Sequence, residues 1–169
     1  MTGEVWYTIL IAVIAGERLA EVAVSHRNAR WAFAQGAVEV GQGHRLPMVA
    51  LHIALLGGCL VEVWVFRPPF LPWLGWPMLA VVIAAQALRW WCIVTLGRQW
   101  NIRVIVVPGL PLVRRGPYRW LRHPNYVAVI LEGIALPLVH SAWVVALLFS
   151  AANAWLLTVR IRCEEKALP

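Results

Sequence analysis

Long apolar runs alternate with short polar, arginine-bearing segments along this chain, and five such runs stand out. The first covers residues 5–24, twenty residues or about 30 Å as a helix, which matches the hydrocarbon core of a bilayer. The residues before it, Thr2-Gly3-Glu4, carry no positive charge, and no small-residue cleavage site follows, so a span is expected here and not a signal peptide. The second run covers 46–66 and is stopped by Arg67-Pro68-Pro69. The third covers about 72–96, with Pro77 in its opening turns, where a missing N–H is tolerated. The fourth begins at Pro124-Asn125 and reaches Leu138; at about 22 Å it is short, and Pro137 interrupts its end. The fifth covers 142–159 or a little beyond, after a turn expected around His140-Ser141.

The connections carry their own signals. Residues 101–107 are rich in β-branched side chains and end at Pro108-Gly109, which predicts an extended piece near the membrane surface. Residues 110–123 are polar and basic, with Gly116-Pro117 marking a turn, and form the longest connection. They are the expected lid or ligand-binding segment.

Composition agrees with this pattern. Of 169 residues, 61% are hydrophobic and only 14% charged, against about 25% charged in soluble domains. Mean hydropathy is +0.69. An ordinary soluble domain and a disordered chain are both excluded. The expectation is one domain over 1–169: an all-α, multispanning integral membrane helical bundle of about five transmembrane helices, with front helices over 1–96 and a second half over 97–169 that carries the ligand-binding connection.

The net charge of +7 comes from fourteen Arg and one Lys set against eight Glu and no Asp. Twelve of the fifteen cations lie in the segments after runs one and three and in the tail. That asymmetry suits anionic lipid and the positive-inside rule better than nucleic acid, for which no role is expected. With five spans it places the N-terminus outside and the C-terminus in the cytoplasm, in a multi-pass protein of the cell inner membrane. Cys59, Cys92 and Cys163 have no CxxC spacing, and Cys59 and Cys92 read as small buried hydrophobes. The five histidines lack metal-ligand spacing and no metal is expected; His52 and His140 fall near opposite faces, which disfavours a bis-histidine haem. No P-loop, HExxH, GxSxG or dinucleotide-binding glycine pattern is present.

Glu17, Glu21, Glu62 and Glu132 all fall at membrane depth. Facing lipid would cost several kcal/mol each, so they must face the bundle interior or pair. An Arg18–Glu21 or interhelical ion pair and a polar floor for a buried site are both consistent with this. His52 reads either as a core histidine or as an acid/base or substrate contact. Arg89 lies about 10 Å from the end of its run, where snorkelling could satisfy it. Asn153, Arg160 and Glu164, spaced by seven and four, share one helical face. That stripe reads either as a solvated helix end or as a cradle for a ligand bearing a carboxylate and an amine. Tyr118, Arg122, His123 and Tyr126 form a second cluster at a helix start opened by Pro124, where free N–H groups favour an anion. Both clusters border the same short helical pair.

The run Gly116-Pro117-Tyr118-Arg119-Trp120-Leu121-Arg122-His123-Pro124-Asn125-Tyr126 and the tail Arg160-Ile161-Arg162-Cys163-Glu164-Glu165-Lys166-Ala167-Leu168 resemble the paired signature of the isoprenylcysteine carboxyl methyltransferase family, GPY-x-x-x-RHP-x-Y then RI-x-x-EE-x-x-L. The resemblance covers roughly residues 96–168. Glu17-Arg18-Leu19-Ala20-Glu21, Ser25-His26-Arg27-Asn28, Gly36-Ala37-x-Glu39 and the stretch from His44 through His52 resemble a bacterial branch. Some of its members accompany type III polyketide synthases and O-methylate alkylpyrones or alkylresorcinols. One departure is visible: the family often has Gly soon after the RHP-x-Y tyrosine, whereas here Ala128 and Val129 follow and the glycine is Gly133.

The resemblance implies a membrane methyltransferase using S-adenosylmethionine (SAM), with a lipophilic acceptor entering from the bilayer: an alkylpyrone-like polyketide or a prenylcysteine-like carboxylate. Membrane lipids and a functional association with a polyketide synthase are the further partners it implies. Carried over residue by residue, it implies cofactor contacts at Tyr118, Arg122, His123, Pro124, Tyr126, Asn153, Arg160 and Glu164, with Trp100 and Ile105 on the adenine side. Candidate catalytic residues are Arg160, Glu164, His52 and Glu21. Sterol reductases share a related C-terminal fold, so an NADPH-dependent membrane reductase is one alternative; a small proton-coupled transporter, suggested by the intramembrane carboxylates, is another.

Overall fold

A computed structural model describes residues 2–41, 43 and 45–167; His44 and Leu168 of the family-like motifs lie outside the described residues. Five helices dominate. They are α1 (Thr2–Ala34), α2 (Arg45–Val61), α3 (Pro72–Leu96), α4 (Pro124–Leu138) and α5 (Trp143–Ala167). The chain is an all-α membrane bundle. Leu46–Phe66, Pro72–Gln99 and Trp143–Lys166 are long and apolar enough to cross a bilayer, while Pro124–Leu138 is shorter. The 33-residue α1 is long enough, but Glu17, Arg18 and Glu21 interrupt its apolar run. The lipid-facing flanks carry exposed Ile9, Val13, Ile53, Ile83, Val94 and Leu147. Such a surface needs hydrocarbon around it.

Helix α2 widens into one π-type turn over Glu62–Phe66 and stops at Arg67, which takes a left-handed φ of 48° before the two prolines. Glu62 reaches the start of α5, where its carboxylate accepts the Val144 N–H at 3.1 Å and the Val145 N–H at 2.8 Å. Those donors are orphaned at any helix start, and the positive end of the helix dipole favours the carboxylate. This buried acid therefore works as a cap delivered by another helix.

The main apolar core joins Tyr7, Ile11 and Ile14 of α1, Leu55 and Cys59 of α2, Val82 of α3, Leu136 of α4 and Phe149 of α5. The buried Tyr7 hydroxyl donates to the Leu136 carbonyl at 2.9 Å, so its polar atom is satisfied. At Gly133 α4 leaves room for a side chain of α5, since a Cβ there would collide with the Phe149 ring. The delayed glycine thus serves helix packing. Gly133→Ala is expected to cost about 1–3 kcal/mol through overpacking, read as a lowered Tm in detergent.

A second layer of polar contacts ties α1 to α3 and α4. Arg18 Nη1 is 2.8 Å from Glu21 Oε2, and its Nη2 reaches Gln86 Oε1 at 2.8 Å and Glu132 Oε2 at 3.3 Å. Arg89 Nη2 is 2.5 Å from the same Glu132 oxygen, and Arg89 Nε is 3.7 Å from Glu21 Oε1. Gln86 also donates to Glu17. Arg89 does not snorkel: it is 4% exposed and turns inward to Glu132. An inward ion pair satisfies the charge without carrying it along the helix to water.

Two features fall outside the expected spans. α1 continues ten residues past Val24, through the polar stretch 25–34. There Asn28 donates to the Gly97 carbonyl at 3.0 Å and the Trp100 carbonyl at 2.7 Å, and Ser25 Oγ bonds Asn101 Oδ1 at 2.6 Å. The extended piece after α3 forms strand β2 (Val104–Val106), which pairs antiparallel with β1 (Val38–Val40), Glu39 opposite Ile105. Arg103 and Glu39 face each other at 3.4 Å across this pair. The ends of α1, α3 and α5, the starts of α2 and α4, and both strands thus collect at one end of the bundle, the basic end.

Candidate functional site

The site is assembled where two chain segments meet. After Gly116, which has φ +56° and lies against Thr95 of α3 so closely that a Cβ would sit 2.6 Å from its hydroxyl, the chain makes a short 3-10 turn over Gly116–Arg119. Only glycine fits that position. Tyr118 is thereby set beside Cys92, and burial pushes its phenol above the ordinary range, with the neighbouring thiol adding to the shift. It stays protonated near neutral pH and can donate but not act as a base. His123 immediately precedes α4 without a side-chain bond to its free N–H groups, and Pro124 occupies the first helical position, where its missing N–H costs nothing.

Helix α5 runs out of the apolar layer and brings Arg160 and Glu164 to the same place. Arg160 Nε donates to the Tyr126 hydroxyl at 2.9 Å, and that hydroxyl donates to Glu164 Oε2 at 2.6 Å. The Arg160 guanidinium lies 5.5 Å over the Tyr126 ring, and Nη2 donates to the Ile102 carbonyl at 2.5 Å. His123 stacks on Tyr126 with ring centres 5.3 Å apart, and its Nδ1 is 3.4 Å from Glu164 Oε2. A cation, an acid, a phenol and an imidazole therefore form one connected set drawn from two parts of the chain, the start of α4 and the end of α5.

This set borders a cavity of about 1130 Å³, ample for a nucleoside-sized ligand. Trp100, Ile105, Tyr118, Arg122, His123, Tyr126, Arg160 and Glu164 all line it, as does the connection from Val107 to Arg114. Pro124 is fully buried just behind the wall. Asn153 does not line the cavity; it is 2% exposed, two helical turns deeper on α5, with its Oδ1 unpartnered among the described residues. His52 does not line it either: its Nδ1 is 2.8 Å from the Met48 carbonyl and its ring meets Phe149 edge-on at 5.6 Å. Glu21 belongs to the arginine cluster.

Asn125 was not singled out from the sequence as a site residue. It lines the cavity, and its Oδ1 is buried without a partner among the described residues. Its only sequence signal was its place inside the RHP-x-Y run. An orphaned acceptor at the start of a helix, beside arginines, a carboxylate and aromatic rings, suits a ligand carrying donor, anionic and cationic groups together. The residues present therefore fit the amino-acid and nucleoside parts of SAM.

The described residues thus form an apolar helical bundle with a nucleoside-sized cavity of mixed charge at its basic end. The isoprenylcysteine carboxyl methyltransferase family model matches residues 78–169, and the chain belongs to that family. Its members are membrane methyltransferases whose methyl donor is SAM. The uncharacterized protein YpbQ of Bacillus subtilis (strain 168) is 42% identical over 163 residues, covering 96% of this chain and 96% of its own. An uncharacterized protein of Haemophilus influenzae (strain ATCC 51907 / DSM 11121 / KW20 / Rd) is 28% identical over 163 residues, covering 95% of this chain and 93% of its own.

Proposed function

We propose that this protein is a SAM-dependent O-methyltransferase for a lipophilic acceptor, seated in the cell inner membrane with its basic end in the cytoplasm and its N-terminus outside. The observation that carries the reading is the meeting of Arg160 and Glu164 with His123 and Tyr126 on one cavity. Arg122, His123 and Arg160 are assigned to the cofactor carboxylate, Glu164 to its amine or ribose hydroxyls, and Trp100 and Ile105 to the adenine. Tyr118 and Tyr126 offer ring faces that favour a cation. Pro124 shapes the wall, and Asn153 lies on the deeper side, toward the membrane. Bound there, SAM supplies an activated methyl group, so the protein has mainly to orient the partners and keep water away.

An acceptor carboxylate or acidic enol is already anionic near neutral pH, and the arginines around the cavity would draw it in. A phenol would need a base, and His52, with its ring between α2 and α5, is the candidate. Glu21, held between two arginines, is better suited to bracing the bundle. The same pairing engages Glu132, so the intramembrane carboxylates that suggested transport have a structural use. The acceptor is an alkylpyrone-like polyketide, supplied by an associated polyketide synthase, or a prenylcysteine-like carboxylate.

The test is to incubate purified protein in lipid nanodiscs with methyl-labelled SAM and a panel containing an alkylpyrone, an alkylresorcinol, a prenylcysteine analogue and a water-soluble carboxylate. Mass spectrometry should find a labelled methyl ester or ether on a lipophilic member. Folded protein that ignores millimolar SAM, or binds NADPH in its place, overturns the reading. Equal methylation of soluble and lipophilic members overturns the acceptor class.

A further inference from the structure

Residues 110–122 carry two kinds of side chain that a water-facing loop would not be expected to combine. Leu112, Trp120 and Leu121 are exposed apolar groups, and Arg114, Arg115 and Arg119 are exposed between them. Trp120 is 68% exposed. Its ring meets Trp91 edge-on at 6.1 Å, on the exposed flank of α3. Trp91 lies five residues before the end of a helix apolar enough to cross the bilayer, about 7.5 Å along its axis. The Trp91–Trp120 contact therefore sets this connection at headgroup depth, the level at which tryptophan is enriched in membrane proteins.

The arginines add the second half of the pattern. Arg103 faces Glu39, and Arg122 is 4.0 Å from Glu165. Arg114, Arg115 and Arg119 have no carboxylate within ion-pair distance among the described residues. Unneutralised guanidinium groups beside apolar side chains at interfacial depth complement phosphate oxygens at the edge of hydrocarbon. A soluble protein partner would not explain why the exposed rings sit at the depth of a spanning helix.

The same segment forms a wall of the cavity, to which Leu112, Arg114 and Arg119 contribute directly. We propose that the 110–122 connection docks on anionic phospholipid headgroups, and that this docking holds the cavity wall in its binding position. The second half rests on the cofactor reading above; the first does not.

The experiment uses the whole protein and two readouts. In the first, protein in mixed micelles of phosphatidylglycerol and phosphatidylcholine is examined by native mass spectrometry for retained lipid. Phosphatidylglycerol should be retained preferentially, and the preference should fall in Arg115→Gln/Trp120→Ser, neither of which lines the cavity. Equal retention of both lipids by the wild type, a measurement that needs no variant to fold, overturns the docking. So does displacement of phosphatidylglycerol by inorganic phosphate, which would assign the arginines to a free anion.

In the second readout, S-adenosylhomocysteine affinity is measured calorimetrically in nanodiscs of phosphatidylcholine with and without phosphatidylglycerol. Wild type should bind about ten-fold more tightly with the anionic lipid, the size expected of one or two arginines engaged by a charged surface; in the variant the difference should be clearly smaller. Selective retention together with composition-independent affinity overturns the coupling. Selective retention with no S-adenosylhomocysteine binding in either disc overturns the cofactor reading and supports the docking.

Discussion

Arg160→Ala should weaken SAM binding by on the order of 10²-fold and reduce methyl transfer at least as much. The Tyr126 hydroxyl and the Ile102 carbonyl hold the guanidinium in place, and the charge-assisted hydrogen bond assigned to it on the cofactor carboxylate would contribute about 1.5–3 kcal/mol. Its removal also leaves the Tyr126–Glu164 pair without a neighbouring cation. Glu164→Gln keeps the shape and one acceptor for the Tyr126 hydroxyl, so a smaller loss, about ten-fold, is expected. Calorimetric titration with S-adenosylhomocysteine, with Tm followed in parallel, separates lost binding from lost folding. Wild-type affinity in Arg160→Ala with unchanged Tm would remove the α5 end from the site.

Glu132→Ala should be the most damaging single change to stability. Glu132 Oε2 accepts from both Arg18 and Arg89, and Arg89 is almost wholly buried. Without that carboxylate the two guanidinium groups are left to share Glu21, at 2.8 Å from Arg18 and 3.7 Å from Arg89, and removing one partner of a buried pair costs about 3–5 kcal/mol. The expected result is a large drop in Tm and in the folded fraction by size exclusion. Arg89→Met combined with Glu132→Leu removes both partners of the pair together and leaves Arg18 with Glu21. It should recover much of the loss, because apolar replacement of a whole buried ion pair is often close to neutral. If the double variant is as unstable as Glu132→Ala, the cluster matters through geometry beyond its charges.

The helices were the legible part of this fold. Pro72, Pro124 and the Arg67-Pro68-Pro69 stop punctuate apolar runs long enough to be recognised by length alone, and α3 and α4 start and end where the runs do. The continuation of α1 through Ala34 was not legible, because its polar residues look like a loop until their partners on the 97–101 segment are known. β1 was equally hidden: three residues give no alternation to read, and the main-chain partner lies far along the chain. Glu62 and Arg89 were recognisable as charges needing a reason, but the reason in each case sits on another helix.

The site was legible to a similar degree. Arg122, His123, Tyr126, Arg160 and Glu164 belong to two motifs that border one helical hairpin, and the structure brings them onto one cavity. The placement of His52, Asn153 and Glu21 away from that cavity depends on how α1, α2 and α5 rotate in the bundle, which spacing along one helix does not specify.

The pairing of Val38–Val40 with Val104–Val106 has an evolutionary consequence. A strand contact made through peptide groups asks for length and register but little for side-chain identity. Residues 38–40 can therefore change side chains while their main chain still braces the far wall of the cavity. A transplant of residues 97–167 onto a foreign scaffold would lack that brace unless the recipient offered a free edge of its own.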